Sequence, residues 1–448
     1  MRKDMGNPLR KNLCLAALLP AIWLFSGTGV AVAAEYMFIP SLSLEEELTD
    51  NVHGGAHKRT DLITRITPAF TLSYKSAYID FSSSATFDYS YYLNNSLKNS
   101  FDFQENSGIG ASFKYEGKYV GLDLSERLAR TYLEPLRDMG KEGTASPSTL
   151  RNTVSGSPYI KLNPDGRLSA RIGYKFDFET SLDNAPTNEK YTHSLFSRPL
   201  YQIVPRFALT AELSATRTDI TTSHKTDTTN TEDAILSTLG FIYKLNSDSQ
   251  LSAAGGTSMR AYNGGSTSIH PNWDVNLTYN SGRISTALQS GVKYNSGMTD
   301  TFTATWDSLA KVNYKLDMGE IGGSVDFQRL NDSETTSTQS DLMTYKITGS
   351  RTFTKDLNST FNLNLDKKTN YKATDPYPYR YGVDATLNYA LSRRFDLKFA
   401  YYYTRYASVL GFAANGYDIN RLLATLTLKF DGIAAKQLPL PGEELAKK

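Results

Sequence analysis

The sequence predicts an all-β fold: a transmembrane antiparallel up-and-down β-barrel of about 20 strands, with short periplasmic turns and longer extracellular loops. Three observations predict it. Apolar and polar side chains alternate with a period of two along most of the chain, which places them on opposite faces of extended strands. Short turns alternate with longer polar connections. A secretory leader opens a chain with 29 Tyr and 21 Phe in which no later apolar run is long enough for a membrane helix.

The leader comes first. Arg2, Lys3, Arg10 and Lys11 precede an apolar run from Leu13 to Phe25, and Ala31 to Ala34 offer small residues for cleavage, the pattern of a signal peptide over residues 1–34. Pro20 interrupts the run, which at about 13 residues falls short of the about 20 a spanning helix needs. The only cysteine, Cys14, lies inside it. The mature chain is therefore expected to lack disulfides, thiolate metal sites and cysteine nucleophiles. The formal charge is +2; the leader carries a net +3, leaving −1, which is not the balance of a nucleic-acid binder. Hydrophobic residues make up 40% and mean hydropathy is −0.40, as expected of a barrel that keeps its apolar residues in alternate positions.

The strands follow in order. Ile66, Pro68, Phe70, Leu72 and Tyr74 share one face, then Ile79, Phe81, Ala85, Phe87, Tyr89 and Tyr91. Leu168 to Phe178 alternate in the same way, as do Phe207 to Leu213, Trp273 to Tyr279 and Tyr381 to Leu391. "FDLKFAYYYT" sets Phe395, Leu397, Phe399, Tyr401 and Tyr403 against Asp396 and Lys398, and the last strand sets Leu422, Ala424, Leu426, Leu428 and Phe430 on one side. The apolar face is expected to meet lipid, with tyrosines near the outer aromatic girdle.

Turn signals separate these runs near Lys75, Glu116, Asn163, Val204, Asn246, Asn280, Leu316, Thr354 and Ser392. Between them lie longer polar stretches from Thr49, Ile220 and Leu330, expected as outer loops. Both ends of the barrel, residues 35–430, then fall in the periplasm. A β-sandwich would need two or more domains for so many strands, and no linker divides the chain. A solenoid would repeat over a shorter, stricter period.

The closing strand "RLLATLTLKF" ends on Phe430 with Leu428 and Leu426 at alternate positions and resembles the C-terminal signal read by the outer-membrane barrel assembly machinery. Thr425 departs from it, standing where that signal often has glycine. Residues 431–448 follow as a polar, proline-bearing periplasmic tail, read either as a solvated extension or as a docking peptide for a periplasmic partner.

At the other end, "PSLSLEEELTDNV" (Pro40 to Val52), followed by "RTDLITRITPAFTLSY" (Arg59 to Tyr74), resembles the opening of outer-membrane β-barrel porins encoded with exopolysaccharide and PEP-CTERM surface systems. The matching parts are an early proline, a Glu-rich strand ending in Thr49, Asp50 and Asn51, and a strand containing Thr67 and Pro68. The close match covers about thirty residues; the rest agrees in hairpin pattern alone. The resemblance implies a part in exporting an exopolysaccharide across the outer membrane. By residue type alone, Asp50 and Asn51 are a loop start.

A barrel of this width is expected to enclose water, since 16 to 18 strands already leave an aqueous channel. Its candidate lining mixes signs: acids Glu45, Glu47, Asp80, Asp88, Asp123, Asp177, Glu212, Asp307, Asp326 and Asp384, with bases Arg65, Lys114, Arg127, Lys161, Arg171, Lys175, Lys244, Arg260, Lys293 and Lys398. Such a wall suits neutral or mixed polar cargo. The longest loop, Thr131 to Leu150, carries Arg137, Asp138, Lys141 and Glu142 and either folds inward as a constriction or lies outside.

Other functions fit less well. The five histidines, His53, His57, His193, His224 and His270, are scattered, and neither GxSxG nor HExxH occurs, so no catalytic or metal site and no cofactor is expected. A general diffusion porin and a barrel sheath around a periplasmic electron carrier stay open. The sheath needs a separate cytochrome partner, since the chain has no CxxCH. The remaining partner is outer-membrane lipid.

Overall fold

The computed structural model describes residues 35–436 except 53, 55, 97–98, 104–107, 133–147, 183–186, 224–226, 266, 297–301, 333–337, 371–376, 412–414 and 431–432. The expected leader, 1–34, and residues 437–448 lie outside the described residues.

Every described element is a strand of one antiparallel sheet. In chain order these are β1 (Glu35–Thr49), β2 (Asp61–Lys75), β3 (Ile79–Tyr92), β4 (Ser100–Phe103), β5 (Ile109–Glu116), β6 (Val120–Tyr132), β7 (Ser148–Leu162), β8 (Leu168–Ser181), β9 (Thr187–Val204), β10 (Phe207–Ser223) and β11 (Asp227–Lys244). The second half holds β12 (Gln250–Tyr262), β13 (Thr267–Ser281), β14 (Ile284–Ser296), β15 (Phe302–Leu316), β16 (Gly319–Asp332), β17 (Thr338–Thr352), β18 (Leu357–Asn370), β19 (Tyr379–Ala390), β20 (Phe395–Ala407), β21 (Gly416–Lys429) and β22 (Ile433–Lys436). Leaving β4 and β22 aside, each strand pairs with the next, β3 pairing with β5, and β1 pairs with β21, so the sheet closes. Twenty strands form the wall. The other two are accessories: β4 pairs with the outer part of β3, and β22 extends the β21 row along Glu35–Phe38 of β1.

The alternation expected from the sequence builds this wall because the middle of its outer side is predominantly apolar. Ile347, Leu363 and Val383 stand opposite one another in β17, β18 and β19 on the outside at mid-height, with Ile347 and Leu363 exposed and Val383 half-buried. In β20, Phe395, Phe399 and Tyr401 are exposed outward, whereas Ala400 and Thr404 face inward and are buried. Tyr36, Tyr74 and Phe81 adjoin across β1, β2 and β3 near the short-turn rim. Trp273, Trp306 and Phe327 pack edge to face towards the opposite rim, with centroids 6.0 and 5.5 Å apart. Two aromatic bands thus flank the apolar belt, as lipid interfaces favour.

All nine connections on the short-turn rim coincide with the turn signals and are two to five residues long. The Asn163 turn has φ of 46°, in the left-handed region that asparagine tolerates. On the other rim, two expectations need correction. The stretch from Ile220 to Asn230 is strand over all but residues 224–226, with Thr221 opposite Thr229, because its Thr and Ile residues are β-branched and favour extended backbone. The long loop is shorter than Thr131 to Leu150, since β6 continues to Tyr132 and β7 begins at Ser148. Strands β9 to β11 reach 17 or 18 residues. At about 3.4 Å per residue and a tilt near 40° such a strand stands roughly 45 Å tall, well above an apolar band of about 25 Å. That height explains the outward Arg217, Asp219 and Asp233, which pair with one another near the top of β10 and β11.

Candidate functional site

The inner wall is the candidate site, and its chemistry starts at the seam. Glu47 on β1 bridges both neighbours: Arg65 of β2 donates to it, and Arg421 of β21 donates through Nε at 2.6 Å and Nη2 at 3.3 Å. Below it, Arg65 also donates to Glu45 at 2.8 Å, Thr425 donates to Glu45 at 3.0 Å, and Ser43 meets Thr427 at 2.9 Å. Above it, the Asn420 backbone and side-chain amides donate to Asp50 at 2.7 and 2.9 Å, and Lys58 spans Asp50 and Asp418 at 3.0 and 2.9 Å. Asn51, expected as a loop start, is buried and donates to the Asp418 carbonyl at 3.3 Å. The Glu-rich opening therefore serves closure: its odd positions face in and zip the first strand to the last.

The other charges expected in the lining share this inward face. Asp88 accepts from Thr67 at 3.4 Å and Ser90 at 3.3 Å. Asp80, Lys114 and Asp123 stand opposite one another across β3, β5 and β6, with Lys114 also 3.5 Å from Glu116. Tyr159 donates to Glu116 at 2.6 Å, Lys161 pairs with Glu116, and the Arg171 guanidinium lies 4.2 Å from the centre of the Tyr159 ring. Lys175 pairs with Asp177 at 2.8 Å, Glu212 with Arg198 at 2.8 Å, Lys293 with Asp307 at 3.1 Å, and Arg260 with Glu232. Asp384 accepts from Asn362 at 2.8 Å and Asp326 from Gln328 at 3.5 Å. Arg127, Lys244 and Lys398 share the inward face through their register with Gly110, Gln250 and Thr425, and none has an ion-pair partner among the described residues. Arg137, Asp138, Lys141 and Glu142 lie outside the described residues.

Pairing is the rule on this wall. A carboxylate next to an ammonium or guanidinium exerts little net field at a distance, so the surface a solute meets is set by hydroxyls and amides between the pairs. Sequence reading missed Glu179, Lys190, Glu232, Arg380, Asp366 and Arg421. Each obeys the same alternation, but Ala234 and Leu236 share the inward face of β11 with Glu232 and blur its pattern. Among the described residues no cluster of His, Cys, Asp and Glu is arranged to hold a metal ion. His270 faces inward, in contact with Ser268 at 2.8 Å, and His193 faces outward, in contact with Tyr174.

No family model and no curated protein matches the chain. Solved structures do. The FrpB iron transporter of Neisseria meningitidis, F5-1 variant, is similar over 88% of this chain and 82% of its own, with a TM-score of 0.51 and 9% identity. The siderophore receptor PirA of Pseudomonas aeruginosa is similar over 88% and 80%, with a TM-score of 0.50 and 7% identity. OccK5 of the same organism is similar over 88% and 98%, with a TM-score of 0.42 and 11% identity. At such identities the likeness is one of fold. Closed wall, apolar belt and aromatic bands, with the fold shared with FrpB and PirA, together define an outer-membrane β-barrel, located in a Gram-negative outer membrane.

Proposed function

We propose that the protein is a channel for uncharged or mixed polar solutes, and that its cargo is an exopolysaccharide moving outward. One observation carries the channel reading: acids and bases line the wall together and many of them are matched in pairs, leaving a polar wall without a dominant sign. Such a wall favours solutes that hydrogen bond and carry little net charge. Among the described residues twenty strands form the wall and β4 and β22 pair along its edges, so no separate folded segment of the described chain occupies the interior. The polymer reading draws on the resemblance of Pro40 to Val52 and Arg59 to Tyr74 to porins of surface-polysaccharide systems. On this reading the strand ending at Phe430 addresses the chain to the barrel assembly machinery, and a periplasmic export component delivers the polymer. A general diffusion porin is the second reading, supported by the same even lining.

Deletion of the gene separates the two. Loss of surface polysaccharide, restored by the wild-type chain, is the expected result. Normal polysaccharide in the deletion strain removes the export reading and leaves the diffusion porin.

A further inference from the structure

Hydroxyls and charge pairs are not spread evenly round the wall. Between β6 and β14 the inner face is hollowed into a recess of about 480 Å³. That lies within the range of about 300–1,000 Å³ found for small-molecule sites. Its floor is a ladder of hydroxyls crossing β9 and β10, with Thr192 and Thr218 in contact at 3.3 Å and Ser194 and Thr216 at 2.9 Å.

Six ionised side chains border that floor: Lys175 pairs with Asp177 at 2.8 Å, Arg260 pairs with Glu232, and Lys190 pairs at 3.7 Å with Glu179, which Arg151 beside the recess also holds. A charged ligand would have to displace a partner already in place. A neutral one need not, because a paired carboxylate keeps lone pairs and a paired ammonium or guanidinium keeps N–H groups for further hydrogen bonds. At one side stands the Tyr294 ring, fixed by its hydroxyl donating to the Pro271 carbonyl at 2.7 Å and by the Arg260 guanidinium 3.9 Å from its centre. Dense donors and acceptors of both kinds, lining acids and bases in equal number and one fixed aromatic edge are what a ring of hydroxyl groups with C–H faces fits.

We propose that this recess is a binding station for a short stretch of uncharged saccharide, held by the Thr192, Ser194 and Thr216 hydroxyls and by the outward N–H and carboxylate groups of the three pairs. The assignment rests on the channel reading and adds to it the class of cargo and the side of the wall it follows. Sequence alternation could not locate it, because alternation gives the inward face of each strand but not the register that brings those side chains together.

Two probes test it: maltohexaose and cellohexaose, with a polyethylene glycol of matched size as control. They are added to the full-length barrel in a planar bilayer and titrated calorimetrically into the detergent-solubilised barrel. Saturable current blockade and heat are expected from at least one hexaose and from neither with the glycol. Combining Thr192→Val, Ser194→Ala and Thr216→Val should weaken binding roughly tenfold or more, the loss of a few hydrogen bonds, with open conductance unchanged. Thr348→Val, Thr360→Val and Thr386→Val, on the far wall, should leave it unchanged. A barrel that conducts but binds neither hexaose overturns the station and leaves the channel standing. Equal weakening by both sets of substitutions also overturns it. A barrel that binds a hexaose without conducting retains the station and overturns the channel.

Discussion

Glu47 and Arg421 meet across the seam at 2.6 Å although 374 residues separate them, and Arg65 holds the same carboxylate from the other side. The Glu47 side chain is only 3% exposed. A buried carboxylate shared by two guanidiniums is stabilising only while all three are present, because removing one partner strands a buried charge. Arg421→Met is therefore expected to cost about 3–5 kcal/mol, and the double change with Glu47→Leu distinctly less than the sum of the singles. Urea unfolding of the barrel in micelles checks both.

At the outer end of the same seam, Asp50 sets a pH dependence. Partial burial opposes its charge, but hydrogen bonds from the Asn420 amides and from Lys58 outweigh that and hold its carboxyl below the usual range. The hydrogen bond to Asp418 acts first to raise Lys58, against a smaller opposing effect of burial. A depressed carboxyl contributes stability that is present above its unfolded value, about 3.9, and is lost as the pH falls through its folded value. A raised lysine contributes below about 10.4, and its share is lost at higher pH as the folded value is passed. The clasp should thus be intact from about pH 4 to 10. Asp50→Asn should lower the melting temperature inside that window, by no more than about 1 kcal/mol since the groups are partly exposed, and converge with wild type as the pH falls through the depressed folded value. A difference that stays constant as the pH is lowered from neutral until the barrel unfolds would contradict this.

Why the seam was illegible while the hairpins were not follows from what local alternation carries. The turns at Asn163 and Asn280 announce themselves because their residues bend the backbone, and Tyr381 to Leu391 show their face because lipid selects it. Nothing local tells Ser41 that it will face Lys429, a register set by the shear of the whole barrel. For the same reason β22 escaped notice: Ile433–Lys436 has no alternation of its own and is extended because the free edge of Glu35–Phe38 offers it partners. On the inner wall, residue type pointed to Lys175, Asp177 and Arg260, but not to the pairing that cancels their charge.

The outward row at mid-height gives a direct check of the faces. Arginine at Leu363 or Val383 is expected to cost about 2–4 kcal/mol, since it would place a charge in the apolar belt. Arginine at the inward neighbours Thr348 or Thr386 should cost far less. Heat resistance of the folded band on gels, followed by unfolding titrations, separates the two sets.

Close packing on the inner wall makes a further prediction. The Tyr159 ring lies over Gly121, in the space a Cβ there would take, and is pinned by Glu116 and Arg171. Gly121→Ala should displace the ring and cost about 1–3 kcal/mol, as overpacking does. Adding Tyr159→Ser should recover part of that loss, read from the same unfolding curves.

The central claim is that the wall encloses an open polar path without a dominant sign, and reversal potentials across a planar bilayer under a salt gradient test it most directly. Purified barrel should give stable ion conductance with weak selectivity between potassium and chloride, because acids and bases line the wall together and many are paired. A silent bilayer, or steep preference for one ion, would contradict it.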